Sequence, residues 1–257
     1  MAEERENKVL GGPPDDYEPM IQKKLENAKQ SKVKSYVELF VGRKGFWALL
    51  KYEIIIGLFS DFPGALGIFF RSIFYRFIFK RFGKGAMIGR SVTLRCPYKI
   101  SMGDNVIIDD NCSLDAKGRD NEGIIIDDGV YVGRNSIVSC KNGMIHLEKN
   151  VNIGFNCEVY SLNKVVIGAN TLIAAYCYIV GGGHTADRTD LDFRDQEKHA
   201  YGIEIGKNTW LGAKSIILDN CNIGQGSIIG AAAVVNKNIP EFSIAAGIPA
   251  RVIKKRK

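Results

Sequence analysis

GIEIGKNTWLGAKSIILDNCNIGQGSIIGAAAVVNKN, residues 202–238, places an aliphatic side chain at every sixth position: Ile205, Leu211, Ile217, Ile223, Ile229 and Val235. Four positions after these fall small or compact residues: Thr209, Ser215, Cys221, Ser227 and Ala233. An α-helix repeats its faces at 3.6 residues and a flat strand at 2, so neither yields strict sixes. Three six-residue segments folded into one triangular coil do yield them. The aliphatic residue fills the interior, and the small one tolerates the tight corner. Each coil stacks on the next and buries a core that one repeat could not bury alone.

The same phase extends upstream, through Ile126, Val132 and Val138, through Leu147, Ile153 and Val159, and through Ile167, Ile173 and Ile179. Small residues again follow at Ser136, Cys157, Thr171 and Cys177, and glycine recurs directly after the inward residue. The pattern predicts a mainly β protein, a left-handed parallel β-helix over residues 85–257. It breaks once on a large scale, between Ile179 and Ile205, where VGGGHTADRTDLDFRDQEKHAYG is polar, charged and too long for a coil corner. A long excursion on a rigid scaffold is where function concentrates, which makes 185–202 the candidate active-site loop. His184 stands at its mouth and titrates near neutral pH, as a general base must.

Upstream of the repeat the chain changes character. Residues 1–19, polar and proline-containing, read as a flexible tail without a signal peptide. Residues 20–84 read as helical and aromatic. Helical spacing joins Ile21, Leu25 and Ala28, then Val33, Val37 and Phe40, and a break falls at Asp61-Phe62-Pro63-Gly64. A helix from about Ala65 to Phe82 carries one polar stripe, Ser72, Arg76 and Lys80, in an otherwise aromatic surface. Charges at Asp61, Arg71, Arg76 and Lys80 leave no uncharged run near the ~20 residues that cross a bilayer. Aromatics interleaved with basic residues suit an anionic membrane surface, approached through residues 65–82. Packing on the β-domain or on a neighbouring subunit is the other reading.

The 257 residues carry a formal charge of +7, which favours an anionic partner. No nucleic-acid module accompanies it, and the charge sits mainly in the helical segment and at the C-terminal end. Six cysteines without paired spacing argue against a disulfide framework or a zinc site, and fit a reducing cytoplasm. Cys112, Cys157, Cys177 and Cys221 fall on small or inward positions and read as packing thiols.

The hexapeptide pattern, NTWLGAKSIIL, IGQGSIIGAAAVVNKNIP and the ending AAGIPARVIKK together resemble the hexapeptide-repeat acyltransferases, closest to the maltose, galactoside and polysaccharide O-acetyltransferases. The resemblance covers residues 85–257. It implies a homotrimer with acetyl-CoA, and no metal, in the groove between neighbouring β-helices. It also implies a saccharide acceptor, such as a surface-polysaccharide or lipid-linked glycan precursor. Position by position, His184 matches the family's base and Asn156 an asparagine that contacts the reacting groups, although Asn is also common in left-handed corners. Trp210, Gly212 and Ala213 match the acyl and pantetheine site, Ala231, Asn236 and Lys237 the cofactor arm and nucleotide, and Arg251 the 3′-phosphate contact. Asp187, Asp190 and Asp192 are open alternatives for orienting His184. His199, in the candidate active-site loop, reads as a solvated loop residue, with a part in binding the acceptor as the other reading, and His146 reads as a surface residue.

Two other classes share the repeat. A γ-type carbonic anhydrase needs three converging histidines, and the spacing of His146, His184 and His199 does not match. A non-catalytic β-helix scaffold would have no use for His184, Trp210 and the cofactor-end residues together. Within the transferases, a longer acyl group from acyl-carrier protein and an amine acceptor stay open. The reading is an acetyl-CoA-dependent O-acetyltransferase, cytoplasmic or peripheral at the inner membrane face.

Overall fold

The computed structural model describes residues 32–118, 121–185, 187–193, 195, 196 and 198–256. The tail at 1–19 and the helical spacing at Ile21, Leu25 and Ala28 lie outside the described residues. From Arg81 onward the chain is a parallel β-helix with three sheets as its faces. The first face starts with Arg81–Phe82, the second with Met87–Ile88 and the third with Thr93–Arg95. Among the described residues the chain makes seven complete coils and part of an eighth. Adjacent coils pair in register, as in Leu147↔Ile167, Ile153↔Ile173 and Val159↔Ile179.

The six-residue phase is the core. All fifteen aliphatic positions named above are at most 3% exposed, and the small residues between them are buried too. Several of those small residues also bond across coils. Ser136 Oγ donates to the Gly154 carbonyl and accepts the Cys157 N–H, both at 3.0 Å. Ser227 does the same with Pro240 and Ser243. A hydroxyl at this position therefore satisfies corner groups that would otherwise be buried unpaired. Nine asparagines, including Asn135, Asn156 and Asn170, turn the corners at positive φ, which asparagine tolerates better than most residues.

Three helical pieces close the N-terminal end: α1 (Lys32–Tyr36, continuing as a π-turn to Val41), α2 (Phe46–Phe59) and α3 (Gly64–Phe74). The break between α2 and α3 falls at the expected Pro63-Gly64. The helix expected to reach Phe82 instead stops at Phe74 and tightens into a 3₁₀ turn, Tyr75–Phe77. Tyr75, Ile78 and Phe79 turn inward and join the β-helix core, and that packing overrides helical spacing. Lys80 is already at the first rung, its N–H bonded to the Ile100 carbonyl at 3.0 Å. The stripe Ser72–Arg76–Lys80 therefore does not run along one helix.

Arg71 is a second correction, because it is not a surface charge. It is 1% exposed, and its guanidinium donates to the carbonyls of Ile88, Phe59 and Phe62 at 2.8–2.9 Å. Tyr52 Oη donates to the Leu94 carbonyl at 2.7 Å, and Ser91 Oγ to Asp61 at 2.7 Å. One face of each helix is thus stapled to the first coil. The opposite faces remain apolar and open: Trp47, Ile54 and Leu58 on α2, Leu66 and Phe69 on α3, then Phe77. Among the described residues, no helix is long and apolar enough to cross a membrane.

Candidate active site

The loop between the fifth and sixth coils opens with a short antiparallel hairpin, Gly183–His184 against Lys198–His199. Ladder bonds fix its roots. Leu162 N–H bonds Gly181 O at 2.8 Å, and the Asn163 side chain donates to Ala200 O at 2.9 Å. His184 therefore projects from a rigid corner although the residues beyond it, 187–193, are exposed. Desolvation first, and then the charges of Lys198, His199 and Lys141, press its pKa below the ordinary histidine value, against a hydrogen bond with the Phe193 backbone. The neutral imidazole, the form that accepts a proton, is thus favoured.

His199 is not simply solvated. Its Nδ1 lies 3.1 Å from Asp219 Oδ2, and its ring packs over Gly183 and stacks on Tyr201. The Asp219 side chain is buried and also accepts the N–H groups of Tyr201 and Gly202 at 2.9 and 2.8 Å. One carboxylate from the sixth coil thus anchors the returning strand and a histidine beside His184. Of the acids considered for His184, Asp190 is paired with Arg188. The groups of Asp192 engaged in turn bonds are backbone, its carbonyl accepting from Asp195 and Gln196.

The candidate cofactor residues fall into two groups. Trp210 lies in the second-face strand Trp210–Leu211, and Gly212, Ala213 and Ala231 lie on the corner that follows this strand and Ile228–Ile229 of the next coil. A Cβ on Gly212 would lie 2.6 Å from the Ala231 nitrogen, so glycine there lets the next coil close down. Ala232 N–H bonds Ala213 O at 2.8 Å, and Ala250 N–H bonds Val234 O at 2.7 Å, bringing Arg251 to the same side. Trp210, Ala231 and Arg251 are exposed. Asn236 and Lys237, also exposed, lie beyond Val234–Val235 at the other end of the third face, on the corner column that carries the His184 loop.

Asn156 sits in a left-handed corner, φ 54°, just before Glu158–Ser161 on the third face, whereas His184 follows the far end of Tyr178–Gly181. The chain therefore does not bring the two together: a strand of the third face, about 13 Å long, separates their corners. Beside Asn156 an exposed aromatic step was not anticipated. Phe155 packs edge-on to Tyr176 at 6.0 Å, with the Arg134 guanidinium over Phe155 at 5.3 Å. The signal for it was the spacing of these residues at one corner, about a coil apart.

All six cysteines are free and buried. Burial pushes the Cys112 and Cys221 thiols up to about 11 and Cys140 up to about 12, which leaves them protonated and poor nucleophiles. His146 is held by Asp127 at 3.0 Å on the first face, away from the loop. Among the described residues no three histidine, cysteine or acidic side chains gather as a metal site.

Residues 202–237 match the family model described as bacterial transferase hexapeptide (six repeats). The galactoside O-acetyltransferase of Escherichia coli K12 is 31% identical over 163 residues, covering 62% of this chain and 79% of that protein. A Mycobacterium tuberculosis protein named a probable acetyltransferase is 33% identical over 127 residues, 49% of this chain; the chain spans only 42% of that relative. Among solved structures, an Asp-to-Asn mutant of AntD, an N-acyltransferase from Bacillus cereus, in complex with dTDP and coenzyme A, superposes with a TM-score of 0.52 at 21% identity. The superposition covers 77% of this chain and 92% of AntD, and supports the fold.

Proposed function

The chain belongs to the hexapeptide-repeat acyltransferases, and on that footing we propose that it is an acetyl-CoA-dependent O-acetyltransferase acting on a saccharide hydroxyl, with His184 as general base. The observation that carries the reading is His184 itself. It is a neutral-biased imidazole, fixed at the mouth of the one long excursion from the stack, on a family scaffold whose galactoside relative is an O-acetyltransferase. Neutral His184 takes the acceptor proton as the oxygen attacks the thioester carbonyl. The new C–O bond forms, the tetrahedral intermediate collapses with cleavage of C–S, and His184 returns the proton to the departing sulfur.

The separation of Asn156 from His184 supports a homotrimer. A neighbouring copy would set its corner of Asn156, Trp210, Gly212 and Ala213 across from this copy's loop, Asn236 and Lys237. Acetyl-CoA would then lie in the groove between two β-helices, with Ala231 and Arg251 toward its nucleotide end. Asn156 would orient the hydroxyl or support the oxyanion by its amide. The open apolar faces of α2 and α3, flanked by Arg43, Lys44, Lys51, Arg76 and Lys80, support a position against an anionic bilayer. A lipid-linked glycan or surface-polysaccharide precursor at the inner membrane face is the acceptor this arrangement favours.

Thiol release from acetyl-CoA, measured with soluble sugars and a lipid-linked sugar extract, tests the assignment. Acceptor-dependent release that His184→Ala lowers by about 10³-fold or more, with acetyl-CoA still bound, is the expected result. Failure of the wild-type protein to bind acetyl-CoA would leave a scaffold, or another acyl donor, as the account.

A further inference from the structure

The outer side of the third face carries a cleft of about 350 Å³, below the His184 loop. Its lining climbs the stack: Arg95 from the first coil, Asp115 and Lys117 from the second, Lys141 from the third, and Tyr160 and Ser161 from the fourth. Three cations and one carboxylate thus line the cleft. Asp115, nearly buried, lies 3.6 Å from Arg95 Nη1 and 2.9 Å from Lys117 Nζ, so a single acid serves two of them. The Arg95 guanidinium is further fixed by lying 4.7 Å over the Phe40 ring. Even so, Arg95 Nε is buried and has no hydrogen-bond partner. Buried polar atoms are nearly always satisfied in a working complex, and Arg95 lines this cleft. Its upper end meets the catalytic loop directly. Leu162 N–H bonds Gly181 O at 2.8 Å, a Cβ on Gly182 would lie 2.7 Å from the Leu162 side chain, and the charge on Lys141 acts on His184.

We propose that this cleft anchors the acceptor and takes a saccharide bearing an anionic group, carboxylate or phosphate, held by Arg95, Lys117 and Lys141 while a hydroxyl further along the molecule reaches His184. The inference rests on the acetyltransferase reading for its second half only, because the anion site is read from the cleft. From Arg95 to Ser161 the lining crosses three coil spacings, about 14 Å, so the anionic group and the acetylated hydroxyl need not belong to one ring. Asp115 then acts as the strut that keeps Arg95 and Lys117 aimed.

Equilibrium binding, measured calorimetrically on the full chain without acetyl-CoA, separates this from the catalytic reading. The probes are a hyaluronan tetrasaccharide (carboxylates), glucose 1-phosphate (phosphate) and chitotetraose (neutral). The expected result is binding of at least one anionic probe about tenfold tighter than chitotetraose, weakened by added salt. Lys117→Gln and Lys141→Gln each reduce that affinity about tenfold, and Lys141→Arg, which keeps the charge, retains it. Whichever anionic probe is preferred identifies the source of the charge. Equal binding of anionic and neutral probes overturns the proposal, as does an anion preference that both glutamine variants leave intact. If anion binding follows these variants and no acceptor releases thiol, the cleft assignment stands and the acetyl-transfer assignment falls. If neutral sugars are acetylated and anionic ones neither bind better nor react better, the reverse holds.

Discussion

His184 and His199 sit diagonally across one hairpin, and their surroundings divide their roles. His199 has a buried carboxylate as its partner, while His184 faces Lys198, Lys141 and His199 itself. A group whose protonated form is repelled is active in its neutral state down to lower pH. We therefore predict that kcat/KM rises with pH through an acidic limb set below the ordinary histidine value and stays level above it. Lys198→Met removes a repelling charge, so the limb should move to higher pH; an unmoved limb would assign it to another group. His184 could be singled out from the sequence because a histidine at the start of a long irregular segment has few structural reasons to be there. The His199–Asp219 pair was not legible, because its partners come from a loop and a later coil and meet only through stacking. Nor could sequence choose among Asp187, Asp190 and Asp192, which differ in surroundings and not in spacing.

Elements divide along the same line. The strands could be read almost residue by residue, because in a β-helix the interior position is set by a local period that recurs in every coil. The break at Pro63-Gly64 was equally plain. The end of α3 was not, because nothing in FFRSIFYRFIFKRF marks where helical bonds give way to core packing; Tyr75 and Phe79 decide it by what they touch. Arg71 shows the cost of reading charge as exposure. Its side chain bonds the turn after α2 to the first coil, and Asp61 and Asp110 help to keep it charged despite desolvation. Arg71→Met should destabilise the fold by about 3 kcal/mol, since the buried Ile88 carbonyl and two partly buried ones lose their donor. Chemical denaturation compared with Arg76→Met, an exposed neighbour expected within about 0.5 kcal/mol of wild type, checks it.

At the level of the whole molecule, the helices do two jobs with two faces: one closes the open end of the stack, and the other is left apolar among basic residues. A stack of coils needs such a cap, so the inward-facing aromatics are structural. The outward-facing ones predict that sedimentation with vesicles containing phosphatidylserine captures the protein, that neutral vesicles or high salt do not, and that Trp47→Ser with Phe69→Ser reduces capture several-fold. Capture unchanged by that pair would move the apolar face to a protein interface.

The long excursion between the fifth and sixth coils has one more consequence. Those coils are held by Val165↔Ile203, Leu172↔Trp210 and Tyr178↔Ile216 and by the core beneath them, while Arg188 and Leu191 bond Asp190 and Gln196 of the loop itself. A protease nick there should leave two fragments that still travel as one particle. Such a result would mean that the fold can be cut and re-sewn at the segment proposed to meet the acceptor, and that this segment is the cheapest part of the molecule to exchange.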